Sequence, residues 1–162
     1  MKRSTALLLS LVLFGCGKSA PAEKPAPSTP AGPQPQSLET TQLRIGAKTF
    51  TLQVADTNDR RETGLMYVRS MPADRGMIFL FPAERVLAFW MHNTPIDLDI
   101  IYADHAGRVT AVKTMHAFDE SSVSSEDPAD VAIELNSGEA AKTGVKTGDK
   151  LDIPDSLRSR AR

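Results

Sequence analysis

Short apolar runs of strand length, separated by turn residues, fill the chain from residue 39 to residue 155. In the segment 49–55, Phe50, Leu52 and Val54 alternate with Thr49, Thr51 and Gln53, the two-residue period of a strand with one buried face. Gly46, Ala47 and Lys48 supply a turn that joins this strand to residues 42–45 as a hairpin. Asp56 or Thr57 then caps a short helix, with Asp59 in its first turn and Gly64 as its stop. Apolar runs at 77–81, 86–91 and 98–103 predict three further strands, broken at 82–85 and at 92–95. Residues 104–107 form a hairpin loop and 108–114 the returning strand, whereas 117–129 are polar and loop-like. Residues 131–135 predict another strand. Ser137 caps one helical turn that stops at Gly144, and 150–153 form the last strand.

This spacing predicts about eight short strands with one or two short helices. The class is all-β, a compact β-sandwich or partly closed barrel. Seven glycines, from Gly46 to Gly148, fall between the apolar runs and punctuate them.

The segment before residue 39 follows other rules. Lys2 and Arg3 precede an apolar stretch at 6–14, too short for a bilayer span, which needs about 20 residues. Residues 1–15 therefore read as a secretory signal peptide. They lead into Leu13-Phe14-Gly15-Cys16, which resembles the lipobox of bacterial lipoproteins. That resemblance implies cleavage before Cys16, lipidation of its sulfur and a mature protein anchored on the membrane by acyl chains. Each buried methylene of such an anchor contributes about 0.8 kcal/mol. Gly17 stands where aspartate resembles an inner-membrane retention signal, so the outer membrane is preferred over the inner, facing the periplasm. Residues 16–38 hold six of the 11 prolines, and 17–37 lack the bulky apolar residues a core needs. They predict a disordered tether, extended at most to about 65 Å at ~3.1 Å per residue.

The domain proper is then 39–155, long enough for its own core, followed by a basic tail at 156–162. Arg158, Arg160 and Arg162 are expected to fray there in solvent. Without Lys2 and Arg3 the count is 17 basic against 20 acidic side chains, net −3. This gives no basic face, and no nucleic-acid partner is expected. A single cysteine excludes an internal disulfide and a cysteine-rich zinc site. No phosphate-cradling glycine loop is present, and no cofactor is expected.

Several ordered pieces resemble the DUF192 family, also called UPF0127: 54–57 with Arg60, 64–66, 76–79, 89–91, 93–99, 134–136 with Gly138, and 148–149. They cover nearly all of 43–153. The resemblance implies a compact all-β domain, often behind a signal peptide or lipoprotein leader, and no established reaction. Two places depart from the family. Lysine is common after Met91, where this chain has His92. Proline is common after Met115, where it has His116-Ala117-Phe118.

Candidate chemistry concentrates at 89–99, where an apolar strand ends in a loop bearing Trp90, Asn93, Thr94, Asp97 and Asp99. In a strand, Asp97 and Asp99 share one face. With Asp56, Arg60 and Glu134 they would form a polar site beside an aromatic, suited to a sugar or other hydroxyl-rich ligand. The competing reading is a structural network in which Arg60 pairs with an aspartate and Asn93 and Thr94 close a turn. The leading expectation is a non-enzymatic envelope module that binds a small, carbohydrate-like ligand or an envelope protein. The alternatives are a carboxylate-dependent hydrolase using Asp97 with Asp99 or Glu134, calcium held by those three carboxylates, and copper held by Met91, His92, Met115 and His116. Neighbouring residues of a strand face opposite ways, which argues against a Met and a His of one pair sharing an ion.

Overall fold

A computed structural model describes residues 32–162. The signal peptide, Cys16 and most of the tether lie outside the described residues. Strands β1 (Thr40–Ile45), β2 (Lys48–Ala55), β3 (Arg75–Phe89), β4 (Leu98–Ala103), β5 (Val109–Met115) and β6 (Val123–Asn136) form one sheet in the order β1-β2-β3-β6-β4-β5. Helix α1 (Asn58–Thr63) joins β2 to β3, which run parallel; every other pairing is antiparallel. Helices α2 (Glu139–Thr143) and α3 (Asp155–Arg158) follow β6. The protein is mostly β, as expected, and its sheet stays open, with β1 and β5 at the edges.

The sheet is covered on both sides. Alternate residues such as Phe50, Leu52, Ile78, Ile101 and Ile133 pack under Ala140, Val145, Leu151, Ile153 and Leu157, from α2, α3 and the chain between them. The intervening residues, among them Met77, Phe79, Ile100 and Tyr102, pack under Leu65, Leu87 and Met91, with Val68, Met71 and Ile96 against them. Strand β4 is buried at all six positions for this reason, and so reads as an apolar run interrupted only by Asp99. Gly76 lies where β3 crosses β6, and a Cβ there would run into the Glu134 carbonyl oxygen.

Six strands replace the expected eight because two neighbouring runs fuse into β3 and the last expected strand does not form. Residues 82–85 do not turn the chain back. Strand β3 bulges there, and its register with β6 jumps between Leu80↔Val131 and Arg85↔Ala129. Pro82, which has no N–H for a ladder, sits in the bulge. Residues 123–129, read as loop from their polarity, are the first half of β6 and pair with the second half of β3. The last expected strand is reduced to one bridge, Arg108↔Lys150. Gly138, not Ser137, is the residue before α2.

The basic C-terminal segment is not a frayed tail. Arg158 donates to Asp130, and Arg160 donates to Asp56 and Glu39. The Arg162 N–H donates to the Asp56 carbonyl at 2.9 Å. Alternate arginines find an acid on β6, at the end of β2 and beside β1, so the segment is strapped across the fold.

Candidate functional site

Three loops meet at one end of the sheet. They are the chain after α1, the β3–β4 loop at 90–97 and the β5–β6 loop at 116–122. Tyr67 N–H donates to the Asn93 carbonyl at 2.8 Å, and Asn93 Nδ2 donates to the Tyr67 hydroxyl at 3.0 Å. Phe118 N–H donates to the Thr94 carbonyl at 3.0 Å, and Met91 N–H to the Asp119 carbonyl at 2.9 Å. Tyr67 (φ 65°), Asn93 (φ 55°) and Phe118 (φ 60°) all adopt the left-handed conformation. For Tyr and Phe this region is strained, and such strain gathers where surrounding structure holds loops for function.

These loops present an unusual surface. Trp90 is 54% exposed and Phe118 63%, while most other large apolar side chains of the domain are buried. The Trp90 ring stacks on His92 at 5.0 Å and 22°, and His92 Nδ1 lies 2.6 Å from Glu120 Oε1. The indole is thus supported from behind. Beside it a cleft of about 220 Å³ is lined by Asn58, Arg61, Glu62, Arg85 and Phe89. Asp97 is half-exposed. Its Oδ1 accepts from Ala117 N–H at 2.7 Å, and its Oδ2 lies 3.8 Å from His116 Nδ1.

The remaining candidates stand elsewhere. Thr94 is buried and closes the β3–β4 loop, its N–H donating to the Met91 carbonyl. Asp99 is buried under α2 and uses both oxygens, one on the Thr114 hydroxyl and one on Ala140 N–H. Asp56 is buried between Arg60 and Arg160. Burial pushes its carboxyl up, but the hydrogen bonds from Arg60 and Arg160 outweigh this and hold it below the usual aspartate range. Glu134 points to the opposite face of the sheet from Asp99, among Ala132, Met77 and Ile100. It is only 4% exposed, and burial pushes its carboxyl up to about 8. Asp99 and Glu134 are therefore separated by the thickness of the sheet and do not converge with Asp97 on one ion or one scissile bond.

Met91 and Met115 are buried, whereas His92 and His116 are exposed. Each Met–His pair straddles the boundary of the core. Among the described residues no group of three His, Cys, Asp or Glu side chains is placed to hold a metal ion. Tyr67 and Glu120, both part of the loop end, were not singled out from the sequence. No local pattern marks them, since their partners lie 26 and 28 residues away.

An open, doubly covered β-sheet with an aromatic, loop-built end defines a small, mostly β domain. The chain belongs to the DUF192 family, described as an uncharacterized ACR, whose model matches residues 41–153. Two solved structures are similar to it. One is a protein of unknown function from Novosphingobium aromaticivorans, 30% identical, with a TM-score of 0.69, covering 72% of this chain and 86% of that one. The other is a "putative transcription regulator" from Sinorhizobium meliloti, 30% identical, with a TM-score of 0.66, covering 72% and 97%. No curated protein matches the chain.

Proposed function

We propose that this DUF192 domain is a binding module for a hydroxyl-rich, carbohydrate-like ligand, held at an envelope membrane by a lipidated Cys16. The observation that carries the ligand class is Trp90: a half-exposed indole, backed by His92, at the edge of a polar cleft. A flat aromatic face offers dispersion contact to the C–H face of a sugar ring. Asn58, Glu62, Arg61 and Arg85 line the cleft with hydrogen-bonding groups for hydroxyls. Asp97 and His116 add further polar groups on the neighbouring loop. The ion-paired Asp56 and Arg60, and the internally bonded Asp99, support the fold in this reading. Arg158 and Arg160 are neutralised by acids, which disfavours a nucleic-acid partner.

Calorimetry with peptidoglycan and polysaccharide fragments is expected to detect binding that Trp90→Ala weakens by about tenfold, a loss of about 1.4 kcal/mol. Asp97→Ala should weaken it less. Absence of binding across these fragments, or binding untouched by both substitutions, would remove the ligand reading.

The anchor has a separate test. Cys16→Ser is expected to abolish incorporation of labelled fatty acid and to release the protein from the membrane fraction. Continued labelling in that variant would exclude Cys16 as the attachment point.

A further inference from the structure

The bulge in β3 opens a second groove, which shares Phe81 with the cleft beside Trp90. Residues 81–84 leave the β6 ladder, and the space between them, α3 and residues 159–161 measures about 710 Å³. Leu80, Phe81, Val131 and Ala161 give it apolar walls. Asp130 lines it too, with its carboxylate buried and shared. Arg158 Nη1 donates to Oδ1 at 2.7 Å, and His105 Nδ1 stands 2.7 Å from Oδ2. The His105 N–H donates to Glu84 Oε1 at 2.6 Å, so two carboxylates fix the hairpin tip that carries the imidazole.

An ionised carboxylate can only accept, so Nδ1 carries the proton facing Asp130. The imidazole is three-quarters exposed while the carboxylate that orients it is buried. Arg158 neutralises Asp130. Glu84 and Asp155 also line the groove, and among the described residues neither lies within ion-pair distance of a basic side chain. The groove thus joins apolar walls and two uncompensated negative charges. A hydroxyl compound would leave those charges unmatched, whereas a cation satisfies them.

We propose that this groove binds a primary amine carried on an apolar body, with the ammonium at the His105–Glu84 side and the apolar part on Leu80 and Val131. Phenethylamine is a suitable probe. Added to the isotope-labelled full chain, it is expected to shift the amide resonances of His105, Val131 and Ala161 saturably. The matched alcohol, 2-phenylethanol, lacks the charge and is expected to bind about tenfold more weakly. Glu84→Gln combined with Asp155→Asn changes two exposed carboxylates, retains an acceptor for the His105 N–H, and is expected to weaken amine binding by about tenfold. Trp90→Ala should leave the titration unchanged, which separates this groove from the loop end. Four results would each overturn the proposal: no saturable shift, equal affinity for amine and alcohol, undiminished affinity in the double variant, or dependence on Trp90.

Discussion

Glu134→Gln is expected to flatten the pH dependence of stability and to stabilise the protein by about 4 kcal/mol near pH 8. The carboxyl sits on a central strand, between Met77 and Ile100 of its neighbours, and burial pushes it up to about 8 from an unfolded value of 4.5. Between those values the folded protein keeps a proton that the unfolded chain has released. Stability is therefore fullest below pH 4.5 and falls as pH rises through 8, by about 1.4 kcal/mol per unit inside the window. Glutamine keeps the size of the side chain and removes the charge. Urea unfolding at a series of pH values from 5 to 9 measures the effect; parallel profiles for the two proteins would refute it. Glu134 also raises the Tyr102 phenol, whose first cause is its own burial. Tyr102 is held at Val123 by a 2.6 Å hydrogen bond.

Asp130→Ala is expected to cost about 3–5 kcal/mol, because it strands the Arg158 guanidinium in a site from which water is largely excluded. The Arg158 side chain is 10% exposed, and the Asp104 carbonyl at 3.2 Å is its remaining acceptor. Replacing both partners, as Asp130→Ala with Arg158→Met, removes the stranded charge and should recover much of the loss. A single-variant loss below about 1 kcal/mol in chemical denaturation would mean that the pair is solvated like a surface ion pair.

What the sequence showed was local. The β1–β2 hairpin, the Thr57 cap on α1 and the β4 run each depend on residues within one turn or one strand, and these expectations match the structure closely. The strand β3 was cut in two because Pro82 marks a turn or a bulge equally well, and only β6 on the far side decides which. The polar start of β6 looked like loop because it pairs with the protruding half of β3, where Glu126 and Asp127 face solvent.

The site divides in the same way. The apolar-then-polar pattern at 89–99 marked Trp90, Asn93 and Asp97, which stand on one loop between β3 and β4. The Arg60–Asp56 pairing is an i,i+4 spacing, legible in advance. Its third member, Arg160, stands 104 residues from Asp56. The left-handed backbone of Tyr67 and Phe118 left no trace, since neither residue type favours it. His105, Asp130 and Arg158 share no spacing rule; the order of strands in the sheet assembles them.

That strand order also sets a schedule. Strand β6 separates the β1-β2-β3 half of the sheet from the β4–β5 hairpin, and it is the last of the six to be synthesised. A nascent chain therefore cannot join its two halves before residue 136 has emerged, and Arg160 and Arg162 reach Asp56 only later still. Until then β3 and β4 each present an unpaired edge, the kind of surface that holding chaperones cover. Assembly of the sheet thus waits for β6.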